Sequence, residues 1–339
     1  MKLAMMGTGP FAAPTFASLL DGPHEVVAAF CQPERPVVGK KAPPESPIAM
    51  LANERDVPLY RPASINSPEA HEILSRLDVD LFVVCDYGQI LSSETLSLAK
   101  KGGINLHGSL LPRHRGSAPV QWAIYRGDEV TGVTVIHMTP KLDGGPMLVV
   151  EKTPIQRGES ADRLEQRLSL LGPAAVDRAM EMLETWDGES SIGEVQNPAE
   201  TTKAPRLKRE DGRIDWSRRA VEIERQFLAF QPWPGVFTWV RLSDGRVLRT
   251  ILNEVAADAE ATDASQGARQ PGEVMSADRE RIRVQTGDGV LAICAVQPAG
   301  KRSFSPAELL NGYPLKVGDR FLSDDPDSPS ANREERGRK

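Results

Sequence analysis

The first half of the chain alternates short apolar runs with segments of helical spacing, a rhythm that restricts it to a sheet with crossover helices. The apolar runs are Lys2–Met6, Val26–Cys31, Leu81–Cys85, Gly103–Leu106, Val133–Met138 and Met147–Lys152, and together they predict a parallel sheet. Between the first two, Phe16, Leu19 and Leu20 fit a helix entered through Phe11-Ala12-Ala13-Pro14. A further helix follows from Leu164, Leu168, Leu171, Val176, Met180 and Leu183, with Ser160 as its cap and Gly172-Pro173 as a kink or split.

At 339 residues the chain exceeds what one hydrophobic core usually organises, so two domains are expected. The pattern dissolves into Ser, Gly, Pro, Thr and charge over 190–209, which reads as a linker. Beyond it a short helix, Arg218–Phe230, precedes alternating runs at Val236–Leu242, Val247–Val255, Gly272–Met275, Arg281–Gln285 and Val290–Val296. Short strands at such spacing predict a small barrel. The stretch Ala256–Gln270 reads as a long mobile loop and Ser323–Lys339 as a disordered tail. The expected division is therefore 1–189, a linker at 190–209, 210–322, and a tail at 323–339.

Composition excludes several classes. No apolar run approaches the ~20 residues that span a membrane, and the start reads as a first strand rather than a signal peptide. Cys31, Cys85 and Cys294 form neither a disulfide framework nor a CxxC pair, and with no HExxH or Cys/His cluster no metal is expected. A reducing, cytoplasmic setting follows. A formal charge of −6 argues against a generic nucleic-acid coat while leaving room for a local basic surface.

Gly7-Thr8-Gly9-Pro10-Phe11-Ala12 follows the first strand and fits the dinucleotide loop G-x-G-x-x-G/A. That reading needs an acid at the end of the second strand to bind a ribose, and Gln32 stands there, with Glu34 displaced beyond Pro33. The loop is better read as a tight strand-to-helix turn whose helix end can still face a substrate.

The most informative stretch is Gly102 to Pro112. Asn105 and His107 lie two apart, so an extended backbone projects them on one side, at the carboxyl end of a strand where open α/β sheets place ligands. Asp143 follows the strand Val133–Met138 and is expected at the same edge. An amide, an imidazole and a carboxylate suit acyl transfer to an amine. The amide donates to the oxyanion of a tetrahedral intermediate, worth roughly 3 kcal/mol in comparable sites. The imidazole stabilises that charge or moves a proton, and the carboxylate orients it. Taken singly, each has a plainer reading as a turn former or a satisfied structural residue. No Ser or Cys has an evident activating base, so direct transfer is favoured over a covalent intermediate.

These residues sit within a longer set of matches. Ile104 to Pro112, Arg115 to Trp122, Thr131 to Thr134 and Leu142-Asp143-x-Gly145 resemble the folate-dependent formyltransferases. Gln32 to Pro36, Tyr87 to Leu91, Ile214 to Ser217, Pro232 to Gly235 and Gln297 to Lys301 extend the resemblance to about residue 322. The fold it implies is α/β: a Rossmann-like parallel-sheet formyltransferase domain followed by a smaller OB-like β-barrel domain. It implies 10-formyltetrahydrofolate as donor, and the carboxyl-terminal matches imply the α-amino group of initiator methionyl-tRNA as acceptor.

The resemblance carries catalytic roles onto Asn105, His107 and Asp143. It places the folate against Ser109, Leu110, Leu111 and Pro112, with Tyr87, Gly88, Gln89, Ile90 and Leu91 around the pterin. The tRNA contacts it implies are Arg35, Lys40, Lys41, Arg206, Lys208 and Arg209, with Arg213, Arg218, Arg219, Lys301 and Arg302 as further positive surface. A monomer is expected. Four positions depart from the family pattern, the first being Gly9-Pro10 where the first loop usually carries Pro-Asp. Val37-Val38-Gly39-Lys40-Lys41 lacks the usual arginine, Gly144-Gly145-Pro146 follows Asp143, and Asp86 stands where a small apolar residue is common. An amino sugar nucleotide as acceptor, and a hydrolase of the formyl donor, remain as alternatives.

Overall fold

The computed structural model describes residues 1–34, 44–258 and 269–326. Arg35, Lys40 and Lys41 lie outside the described residues, as do most of the predicted 256–270 loop and the tail from 327 onward. The described chain divides into two compact units, 1–123 with 128–206, and 124–127 with 207 onward.

The first unit is built on a sheet of seven strands: β1 Lys2–Gly7, β2 Glu25–Phe30, β3 Leu59–Tyr60, β4 Leu81–Cys85, β5 Gly103–His107, β6 Val130–His137 and β7 Met147–Pro154. The helices are α1 Ala13–Asp21, α2 Pro47–Glu54, α3 Pro68–Leu77, α4 Ser93–Leu96, α5 Pro119–Arg126, α6 Ala161–Ser169 and α7 Gly172–Glu184. The strand order is β3-β2-β1-β4-β5-β6-β7, so the sequence reverses direction across the sheet between β1 and β4. Every residue of β4 and all but the first of β1 are buried, as continuous apolar strands covered on both faces should be. The expected split at Gly172-Pro173 is found: α7 begins there, where proline is tolerated because its missing N–H would be unpaired anyway.

One expectation is corrected. The pairs from β3 to β5 are parallel, but β5–β6 and β6–β7 are antiparallel, so the sheet is mixed. His137, the last residue of β6, pairs with Ile104 near the start of β5. Asp143 therefore does not follow a carboxyl-edge strand end.

The 190–209 stretch is also not a free connector. Glu194 bridges to Met147, Lys203 bridges to Arg115, and Ala204 is fully buried. The indole N–H of Trp122 donates to the Pro205 carbonyl, 2.8 Å. Backbone pairing of this kind satisfies polar groups that a solvated linker leaves to water.

The second unit holds α8 Ala220–Phe230, α9 Pro306–Gly312 and an antiparallel sheet. Its strands are β8 Val236–Arg241, β9 Val247–Asp258, β10 Val274–Ala277, β11 Ile282–Gln285, β12 Val290–Pro298 and β13 Arg320–Leu322. They run in the order β10-β11-β12-β9-β8-β13, and a bridge from Glu273 to Arg320 brings the two edges together. Closing the edges removes unpaired backbone, as in a small barrel. Trp216 and Phe321 pack in its core at 5.4 Å, and the Trp216 indole N–H donates to Thr238 Oγ1, 2.9 Å.

Candidate active site

The cavity that gathers the chemistry lies at the point where strand order reverses, which is where open α/β sheets bind ligands. Its volume is about 420 Å3. Asn105 and His107 line it from β5, Ile136 from β6, Phe11 from the turn after β1, and Tyr87 to Leu91 from the segment after β4. The same-side projection expected of Asn105 and His107 is thus present. Asp143, Lys141 and Leu142 close the cavity from the loop between β6 and β7.

His107 is 6 % exposed, and its Nε2 lies 2.9 Å from the carbonyl of His114. A carbonyl only accepts, so Nε2 carries the proton, and in the neutral ring Nδ1 is the free lone pair. That Nδ1 faces Asp143 Oδ2 at 3.8 Å. The same carboxylate oxygen accepts the amide N–H of Gly116 at 2.8 Å.

Asp143 reaches this place although β6 runs the wrong way, because the 138–146 loop folds back over the sheet. Gly145 makes that return possible, since a Cβ there would lie 1.8 Å from the His137 carbonyl oxygen. Gln196 fixes the loop: its side-chain amide donates to the carbonyls of Asp143 and Gly145, 2.8 and 2.7 Å, and its oxygen accepts from Arg115 Nε, 3.0 Å. Gln196 is 4 % exposed and falls in the stretch the sequence presents as a linker. A polar residue in a polar stretch carries no burial signal. Only its pairing partners identify it.

Tyr87 to Leu91 line the cavity as expected, whereas Ser109, Leu110, Leu111 and Pro112 do not. Ser109 is fully buried, its hydroxyl donating to the Arg113 carbonyl at 2.8 Å, and the Leu111 N–H donates to Thr134 Oγ1 at 3.1 Å. These bonds fix the four residues that directly follow Gly108, itself part of the cavity wall. They build the turn that carries 113–116 toward His107 and Asp143. Ile90 and Leu142 also line the cavity and stay more than half exposed, an apolar lip at its mouth.

Two further carboxylates share the wall, Asp86 and Glu165. Asp86 meets the cavity's water, yet the protein crowded around it pushes its carboxyl up to about 6, against a bond from the Gly9 N–H that pulls the other way. Glu165 is also raised, first by burial and then by the charge of Asp86, with a bond to Gln121 opposing. A Cβ on Gly9 would lie 1.8 Å from Asp86 Oδ2. The glycine in the first loop is thus explained by a carboxylate of the protein, and no dinucleotide is needed to account for it. Sequence reading noted Asp86 but missed Glu165, which the helical pattern presents only as a polar position between Leu164 and Leu168.

The proposed tRNA residues divide. Arg206, Lys208 and Arg209 are exposed. Arg213, Arg218, Arg219 and Arg302 each pair with a carboxylate, namely Asp324, Glu222, Glu222 and Glu308. Arg249, not anticipated, stacks over Phe237 at 4.3 Å, and its pKa is lowered by burial and then by the nearby charge of Arg209. Among the described residues no group of three or more His, Cys, Asp or Glu is placed to hold a metal. No described helix is long and apolar enough to cross a membrane.

A doubly wound sheet with an amide, an imidazole and a carboxylate around one cavity is a site whose chemistry suits acyl transfer. The profile of the formyl transferase family matches residues 1–180, and that of its carboxyl-terminal domain matches 206–314. The chain belongs to the formyl transferase family. A methionyl-tRNA formyltransferase of Rhodopirellula baltica is 41 % identical over 95 % of this chain and 97 % of its own. One of Geobacter sulfurreducens is 38 % identical over 95 % and 96 %. Among solved structures, HypX from Aquifex aeolicus in complex with tetrahydrofolic acid shares the fold, with a TM-score of 0.59 at 17 % identity over 93 % of this chain and 48 % of that one.

Proposed function

We propose that this protein is an enzyme that transfers the formyl group of 10-formyltetrahydrofolate to the α-amino group of initiator methionyl-tRNA. The observation that carries the reading is the match of both units together. Relatives of that activity align over 95 % of the chain, through the catalytic sheet and the barrel alike. The amino-sugar-nucleotide and hydrolase alternatives have no such support. The cavity suits the donor: an apolar lip at Ile90 and Leu142 and a run of backbone from Tyr87 to Leu91 can hold a flat heteroaromatic ring by its edges.

In the step proposed, the amine nitrogen adds to the formyl carbon, and the bond from that carbon to the donor nitrogen then breaks. Asn105 donates its amide N–H to the oxygen that becomes negative. His107 takes the proton lost by the attacking amine at Nδ1, the nitrogen left free by the His114 carbonyl, and returns it to the departing nitrogen. Asp143, held by the Gly116 N–H, stabilises the imidazolium that forms in between.

The first unit performs this chemistry and the second holds the tRNA, with Arg206, Lys208 and Arg209 on its approach. The enzyme acts as a monomer in the cytoplasm. The test is incubation with 10-formyltetrahydrofolate, with and without charged initiator tRNA. Formyl-methionyl-tRNA should appear only in the complete mixture. Formate released without acceptor, or no product from folded protein, would overturn the assignment.

A further inference from the structure

The step above leaves one buried histidine unused. His114 is 2 % exposed and adopts φ of +59°, a left-handed backbone that a residue with a Cβ holds only when its surroundings over-determine it. Three separate segments supply that constraint. The His114 N–H donates to Thr202 Oγ1 at 2.8 Å, its carbonyl accepts from His107 Nε2 at 2.9 Å, and its ring Nε2 meets Asp128 Oδ2 at 2.6 Å. Asp128 is itself fixed, because its other oxygen accepts from Arg113 at 2.6 Å. The second ring nitrogen of His114 is buried without a hydrogen-bond partner among the described residues. An apolar ring would avoid that unpaired nitrogen, so the imidazole is explained by the bond its other nitrogen makes.

The geometry matters because the turn at 113–116 touches both members of the His107–Asp143 pair. Its His114 carbonyl accepts the His107 Nε2–H, and its Gly116 N–H donates to the Asp143 carboxylate. The carbonyl belongs to the 114–115 peptide and the N–H to the next one, so a shift of this turn disturbs both contacts. We propose that His114 and Asp128 are positioning residues: their hydrogen bond locks this turn, keeping His107 in the Nε2–H form with Nδ1 toward Asp143. The inference rests on the reading of His107 as the group that moves the proton. Neither residue touches the reacting atoms, so the effect belongs in the orientation of His107 and not in the binding of donor.

The test combines ring-nitrogen NMR on protein labelled with 15N-histidine with steady-state formylation of charged initiator tRNA. In the intact protein, with the ring neutral, His107 should show protonation at Nε2 alone. In Asp128→Ala it should show a mixture of the two tautomers. Asp128→Ala and His114→Asn, the latter chosen because Asn tolerates the left-handed backbone, should each lower kcat by roughly tenfold to a hundredfold. The KM for the folate donor should stay within about twofold of the original, as expected when ground-state binding is untouched. The double variant should be no worse than either single one, since both remove the same lock.

A His107 protonated at Nδ1 in the intact protein would overturn the proposal even if neither variant folds. So would a folded Asp128→Ala that keeps one tautomer and full kcat, or one whose KM rises in proportion as kcat falls. His107→Ala separates the two levels. If it retains turnover, the reading of His107 fails and takes the proposal with it. If it is inactive while Asp128→Ala is unimpaired, only the positioning claim falls.

Discussion

The two ends of the cavity are built on different principles. At the β5 end, His107 and the carboxylate of Asp143 are nearly sealed from solvent, and each is tied to fixed backbone, His107 to the His114 carbonyl and Asp143 to the Gly116 N–H. At the β1 end, Asp86 and Glu165 meet water, share a region of negative charge and are both pushed toward the protonated form. Groups aimed at charge that develops during a reaction act best when they need not reorganise. The first end meets that demand. The second end, partly open to water, does not.

The largest effect should come from emptying the fixed end. Asn105→Ala and Asp143→Ala should each lower turnover by about a hundredfold or more in the formylation assay, as loss of one oxyanion donor does elsewhere. Wild-type turnover in either would remove that residue from the mechanism.

Next in size is the support beneath it. Gln196→Ala leaves the Asp143 and Gly145 carbonyls without their donor, an interaction worth about 1–3 kcal/mol when a buried group is left unpaired. It should slow turnover by roughly tenfold, measured with saturating donor and acceptor. A variant with full turnover would mean the 138–146 loop holds itself.

A smaller effect is expected at the basic residues of the second unit. Replacing Lys208 and Arg209 by Ala should weaken tRNA binding severalfold and flatten its dependence on salt, by about one unit of slope for each phosphate no longer neutralised. An unchanged slope would show that these residues are ordinary solvated charge.

The smallest effect concerns the open end. Asp86 has a folded pKa near 6, above its ordinary value of 3.8, so the stability tied to its protonated form is fully present below 3.8 and is lost as pH rises through about 6. Asp86→Asn should therefore be slightly more stable than the parent at pH 8, with the gap closing toward pH 4. Water in the cavity screens the charge and keeps the difference small. Thermal melts across that range would measure it, and a gap that widens toward acid would reverse the sign argued here.

The contrast between the two ends also marks what the sequence discloses. Asn105, His107 and Asp143 stand out because unusual polar residues follow apolar runs, and the strands themselves stand out by their continuous burial. The direction of β6 does not, since a connection containing a helix such as α5 looks the same whether the next strand returns parallel or antiparallel. Gln196, His114 and Asp128 are hidden for another reason. Each is a polar residue in a polar stretch, and its burial follows from partners far away in sequence. β13 escapes notice because three residues, Arg320–Leu322, carry no period. The closed end of the site, the part most dependent on such distant pairs, is accordingly the least legible.

The central claim is that a prearranged His107 moves the proton in a direct formyl transfer. A single-turnover measurement with His107→Ala, 10-formyltetrahydrofolate and charged initiator tRNA tests it most directly. The rate should fall by at least about a hundredfold with donor affinity unchanged. A rate near that of the intact protein would contradict it.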